Sequence, residues 1–236
     1  MKRKAFHLPM NQTESIVGWV YVFVHTFAMT FLLAALNNYI FPRMGFQLSE
    51  TNLNLLYYIV GFLFLLAFLF HFWRESFADM CGAVPDTLIA VIVGYVAYVL
   101  LMNLVSGALG FFLKNLTNPN SAAVIQSTKL NPNKMIVIGV LLAPVVEETL
   151  FRGVVFGTIR RSSRLAAYIV SALFFSVYHL WSYFLYQYAP SLFLYLLQYI
   201  PAGLVLAWCM ERGRSFWASV FLHMIINYVS ITVTIG

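Results

Sequence analysis

The sequence predicts an all-α, polytopic membrane protein, and three observations carry that prediction. Hydrophobic residues make up 61% of the 236-residue chain and charged residues only 9%, against about 45–50% and about 25% in soluble domains. Mean hydropathy is +0.82. The apolar residues fall into runs of about 20, the length an α-helix needs to cross the hydrocarbon core. A soluble domain of this size has too little interior to hide so much apolar surface. The same composition excludes a disordered chain, a nucleic-acid-binding protein and a disulfide-stapled secreted fold as main readings. Cys81 and Cys209 are too few for a disulfide framework, and the net charge of +6 reads as Lys and Arg held in cytoplasmic loops.

About seven spans qualify, at roughly 16–41, 53–73, 87–113, 135–157, 165–185, 191–210 and 215–235. Splitting or merging the long first and third spans gives a range of about six to eight. The first run, from Ile16 to Phe41, exceeds the short core of a signal peptide, and no small-x-small site follows it. The second ends near His71 and Trp73, residue types common at a membrane interface. The longest connection, about 114–134, is rich in Asn, Pro and Ser and reads as an exposed loop with at most one short interfacial turn. Short loops elsewhere make 1–236 a single membrane domain. No internal repeat or low-complexity stretch is apparent.

Orientation follows from the basic residues. Lys2, Arg3, Lys4, Arg74, Arg160, Arg161, Arg164, Arg212 and Arg214 fall on the side of the N-terminus; Arg43, Lys114, Lys129 and Lys134 fall on the other. That imbalance predicts a cytoplasmic N-terminus and, with seven helices, an external C-terminus. Both cysteines then lie on or near the reducing side, in agreement with free thiols.

The informative residues break the apolar pattern. The fourth span, MIVIGVLLAPVVEETLFRGVVFG, carries Glu147, Glu148 and Arg152 near its middle. Each charge at a helix centre costs about 2.5–3.5 kcal/mol on insertion scales, so three there mark function before structure. An ion pair tying helices together is the structural alternative. It accounts for Glu148 and Arg152, which are i,i+4 on one face, but leaves Glu147, about 100° further round, available. The fifth span holds His179, four residues after Phe175, and the seventh places His223 and Asn227 at i,i+4. Singly, each reads equally well as an interhelical hydrogen-bonder. His25, in the first span, reads as a structural hydrogen bond, and His7 lies in the N-terminal tail. The aromatic residues, 17% of the chain, line lipid and helix contacts, with a substrate-lipid groove as the alternative.

Depth joins the polar residues. At about 1.5 Å per residue, Glu147 lies about 15 Å from the inner end of its helix, His179 about 21 Å, His223 about 12 Å and Asn227 about 18 Å. Three helices thus bring a carboxylate, two imidazoles and an amide to one mid-bilayer layer. A base, a proton-transfer partner and oxyanion donors are what hydrolysis requires.

Glu147-Glu148-Thr-Leu-Phe-Arg152 resembles the EExxxR motif of the CAAX-protease and bacteriocin-processing (CPBP, or Abi) family of intramembrane proteases. Phe175 to His179 is similar to its FxxxH motif and His223 to Asn227 to its HxxxN motif, in the family's order and each on its own helix. Gly203, Glu211, Gly213 and Ser215 resemble its last helix pair. The resemblance covers about 135–232, the expected catalytic core. It implies a glutamate-dependent endopeptidase without metal or other cofactor. By the same resemblance Glu147 activates a water, His179 assists, His223 and Asn227 stabilise the oxyanion, and Glu148 and Arg152 hold the geometry, with a direct role for Glu148 left open. The implied partner is a membrane-associated peptide or lipidated peptide: a peptide pheromone, a bacteriocin precursor or a CAAX-like substrate. Short tails resemble the family's bacterial members, which implies a plasma membrane.

Rival protease chemistries fit worse. There is no HExxH zinc motif and no rhomboid-like GxSG. Asp79 and Asp86, the candidates for an aspartyl dyad, are both expected in the loop after the second span. Two other readings remain: a non-catalytic immunity or partner-binding membrane protein, and a transporter using Glu147 and Glu148 as a proton relay, the latter disfavoured by the lack of inverted repeats.

Overall fold

The computed structural model describes residues 8–113, 117–186 and 189–236. Lys2, Arg3, Lys4, His7 and Lys114, used above for orientation and site assignment, lie outside the described residues. The elements are α1 (Gln12–Met44), α2 (Glu50–Phe68), α3 (Phe70–Cys81), α4 (Val84–Gly110), α5 (Pro119–Leu130), α6 (132–160), α7 (Arg164–Leu180), α8 (Ser191–Arg212) and α9 (Phe216–Ile235). No strand occurs among the described residues.

Each of the seven apolar runs coincides with helix. Among the described residues five helices are long and apolar enough to cross a membrane by length and composition: α1, α2, α4, α8 and α9. The other two runs differ for physical reasons. Helix α6 carries Lys134, Glu147, Glu148, Arg152 and Arg160, and α7 has only 17 residues.

Three boundaries depart from the sequence reading. The second run does not continue to residue 73. The backbone turns at Leu69 (φ −118°, ψ 20°), and α3 restarts with Glu14 Oε1 accepting from the Phe72 N–H at 2.7 Å. The 114–134 connection holds the 12-residue helix α5 rather than a single turn. Asn118 caps it, accepting from the Asn120 N–H at 3.0 Å, and Pro119 sits at its first position, where no N–H is needed. Asp79 lies within α3 and Asp86 in the first turn of α4, so neither belongs to a loop.

Helix α6 is the axis of the bundle. Every residue from Ala143 to Gly157 is buried, enclosed by α1, α2, α7, α8 and α9. Glu147, Glu148 and Arg152 therefore face protein rather than lipid, which is how an intramembrane ion pair is tolerated. Helix α4, by contrast, presents Ile92, Val96, Leu100 and Leu104 outward. Gly203 permits the closest crossing: a Cβ there would stand 2.8 Å from Ala172 Cα, so α8 and α7 touch backbone to backbone.

The basic residues separate by end. Arg160 and Arg164 pair with Glu211, Arg161 donates to the Met10 carbonyl at 2.8 Å, and Arg214 meets Asp86 at 3.5 Å. The opposite end holds Arg43, Lys129 and Lys134, the last donating to Asn52 Oδ1 at 2.7 Å. Both cysteines are free thiols, Cys81 exposed and Cys209 buried.

Candidate active site

Helix α6 supplies Glu147, Glu148 and Arg152, α7 supplies His179, and α9 supplies His223 and Asn227; the structure brings all six together. Glu148 and Arg152 are fully buried, Glu147 is 3% exposed and His223 5%. The i,i+4 pair read from sequence is present, with Arg152 Nη1 donating to Glu148 Oε1 at 3.0 Å. Arg152 also donates Nη2 to the Gly203 carbonyl at 3.3 Å and lies over the Phe175 ring, 4.3 Å from its centroid. That contact gives the first residue of the Phe175–His179 pair a physical role: a π-face for a buried cation.

The hydrogen bonds fix which nitrogen of each imidazole faces Glu147. His179 Nδ1 lies 2.8 Å from the Phe175 carbonyl and His223 Nδ1 lies 2.9 Å from Glu148 Oε1. A carbonyl can only accept, and Glu148 Oε1 already accepts from Arg152, so both Nδ1 atoms donate. Both Nε2 atoms then point at Glu147 Oε2, at 3.8 Å from His179 and 3.9 Å from His223. Such gaps are too long for a direct hydrogen bond, and a water set to one side of them, in the cleft, could contact all three atoms.

Asn227 is explained by the shape of α6. The stretch Val137–Leu142 is π-helical, with the Ala143 N–H bonded to the Ile138 carbonyl. In that register the next donor would be residue 144, paired with the carbonyl of Gly139. Pro144 has no N–H, and Asn227 Nδ2 donates to the Gly139 carbonyl instead, at 2.8 Å. One amide proton is thereby committed and the second is left for the cleft. A second π-helical stretch, Thr149–Phe156, carries Arg152. Widened turns of this kind concentrate at functional sites.

The cleft in front of Glu147 has a volume of about 430 Å³. Tyr58, His179, His223 and Asn227 line its floor; Met102, Val124, Ile125 and Ile231 line its apolar walls. Among the described lining residues, Glu147 is the sole Asp, Glu, Lys or Arg. Helix α5 borders it, tied to α8 through Asn118 Nδ2 on Gln198 Oε1 at 2.8 Å and Asn120 Nδ2 on the Tyr199 hydroxyl at 3.0 Å. The Tyr199 ring stacks on His179 with centroids 4.4 Å apart. Among the described residues no group of three or more His, Cys, Asp or Glu is arranged to hold a metal ion.

Two histidines sit elsewhere. His71 opens α3 with Nδ1 3.4 Å from Glu14 Oε2. His25 corrects the expectation of a structural hydrogen bond: it is fully buried, yet neither ring nitrogen has a partner among the described residues. Its ring acts as a packed aromatic, 4.1 Å from the Tyr57 ring and pressed against Gly61, where a Cβ would meet it at 2.8 Å.

Sequence reasoning missed Tyr58. Its hydroxyl donates to Glu147 Oε1 at 2.6 Å. The available signal was a Tyr57–Tyr58 pair inside an apolar run, where a buried hydroxyl must find a partner.

Residues 129–229 match the model of a family described as type II CAAX prenyl endopeptidase Rce1-like. Over 105 residues the chain is 26% identical to a Bacillus subtilis (strain 168) protein, YdiL, named as a candidate membrane peptidase; the match covers 44% of this chain and 37% of that protein. No solved structure matches the chain.

Proposed function

We propose, from the match of residues 129–229 to the Rce1-like family model, that the chain is a member of the CPBP family and hydrolyses a peptide bond at the membrane with Glu147 as general base. The observation that carries this reading is the convergence of Glu147 Oε2 and the two Nε2 atoms, 3.8 and 3.9 Å from it, on one cleft where a water can contact all three. A water held there donates one hydrogen bond to Glu147 and one to His179. Its oxygen attacks the scissile carbonyl carbon as Glu147 takes its proton, and the same proton passes to the amine nitrogen when the C–N bond breaks. The free N–H of Asn227 donates to the oxyanion, and His223, with Nδ1 tied to Glu148, joins it once Nε2 carries a proton. Glu148 and Arg152 hold His223 and α8 in place. The catalytic core is 135–232.

Apart from the base and the two histidines, the described lining of the cleft holds no Asp, Glu, Lys or Arg, which suits an apolar peptide, with or without a lipid chain, such as a pheromone, bacteriocin or CAAX-like precursor. The test is cleavage of an apolar, uncharged reporter peptide by the purified chain, before and after exhaustive chelation. Cleavage should persist undiminished. Activity lost on chelation and restored by zinc would make Glu147 a metal ligand with His179 and His223. Peptide binding without any cleavage would favour the non-catalytic, partner-binding reading.

The same reading has the arginine-rich end of the bundle in the cytoplasm of a bacterial plasma membrane, by the excess of Lys and Arg there. A cysteine added after Gly236 should then react with a membrane-impermeant thiol reagent in intact cells. Labelling only after lysis would reverse the assignment of that end.

A further inference from the structure

The matched region begins at residue 129, yet α2 reaches the proposed base from outside it. Tyr58 donates to Glu147 Oε1 at 2.6 Å, a short, charge-assisted bond. Behind it stand two more hydroxyls: Tyr178 lies 3.3 Å from both Tyr57 and Tyr58, and Tyr57 donates to the His25 carbonyl at 2.8 Å. Each hydroxyl has one proton. Tyr58 gives its proton to Glu147 and Tyr57 gives its own to a carbonyl, so Tyr178 is the donor in both contacts and shares its one proton between two hydroxyls, each 3.3 Å away. A hydroxyl that accepts one bond donates the next more strongly, so a proton from Tyr178 strengthens the grip of Tyr58 on the carboxylate.

We propose that Tyr58 is a positioning residue for the reaction, pinning Oε1 of Glu147 so that Oε2 faces the water site. The proposal rests on the general-base reading above. It is needed because Arg152 is held by Glu148, the Gly203 carbonyl and the Phe175 ring and makes no hydrogen bond to Glu147, while both imidazoles stand 3.8 and 3.9 Å from it. Without Tyr58 the Glu147 side chain has free torsions and a second oxygen with no fixed partner, and small misplacements of a catalytic group are costly.

The experiment measures kcat, KM and melting temperature of the full-length chain on the reporter peptide. Tyr58→Phe should lower kcat by about 10- to 100-fold, the loss expected for one hydrogen bond to a charged group. KM should stay within about twofold and the melting temperature at the parent value. A folded Tyr58→Phe protein with parental kcat, or one whose whole loss lies in KM, overturns the proposal. Should that variant fail to fold, Tyr58→Met decides, because its adaptable apolar side chain also removes the hydroxyl from Glu147: a lowered kcat at parental KM supports the proposal and a parental kcat overturns it. Glu147→Gln, assayed alongside, separates the two levels. If it still cleaves, the general-base reading fails. If it is inactive while Tyr58→Phe keeps parental kcat, the positioning role alone fails.

Discussion

Glu147→Ala should abolish turnover while the bundle melts where the parent does. The carboxylate faces a cleft and is held by one tyrosine hydroxyl, with both imidazoles beyond hydrogen-bond distance. Its removal breaks no hydrogen-bonded ion pair, since Arg152 keeps Glu148 at 3.0 Å. The loss in kcat should fall at the upper end of the 10²–10⁴-fold range for a positioned general base, because the same side chain also anchors the water. His179→Ala should behave alike, for its Nε2 holds the other side of that water and its Nδ1 touches only its own helix. Cleavage and thermal denaturation in one detergent check both variants. Near-parental activity of Glu147→Ala in a clean preparation would sink the glutamate-base mechanism.

The residues in this prediction were readable in the sequence because lipid makes polar side chains conspicuous. Three charges in an apolar run are an anomaly, and the i,i+4 spacing of Glu148 and Arg152 fixes their pairing within one helix whatever surrounds it. His179, His223 and Asn227 joined them through depth alone, which helix rise supplies. What the sequence hid depends on neighbours distant along the chain. Tyr58 reaches Glu147 across 89 residues of separation, and an apolar run containing tyrosines gives no register for that meeting. The tie from Asn227 to Gly139 exists because Pro144 falls where a π-helical turn needs a donor, and the extra residue of such a turn leaves no compositional mark. Helix α5 was concealed differently: its Asn118 cap and Pro119 start are helix signals, but Asn, Pro and Ser also make loops.

Arg152→Ala is expected to damage folding before it damages chemistry. The guanidinium is fully buried, and three groups depend on it: Glu148 Oε1 at 3.0 Å, the Gly203 carbonyl at 3.3 Å and the face of Phe175 at 4.3 Å. Truncation leaves Glu148 a buried carboxylate supported only by His223, whose Nδ1 lies 2.9 Å away. Removing one member of a buried pair typically costs about 3–5 kcal/mol, mostly from the charge left behind. A cavity where α6, α7 and α8 meet adds to the loss. The variant should yield little folded protein and melt well below Glu147→Ala in the same detergent. If stranded charge is the cause, Arg152→Ala combined with Glu148→Gln should be more stable than Arg152→Ala alone, a non-additivity expected only of groups that interact directly. A double variant no more stable than the single one would locate the damage in lost packing. If Arg152→Ala folds normally while Glu147→Ala unfolds, the assignments are reversed, with Glu147 bearing the structure and the Glu148–Arg152 pair the chemistry.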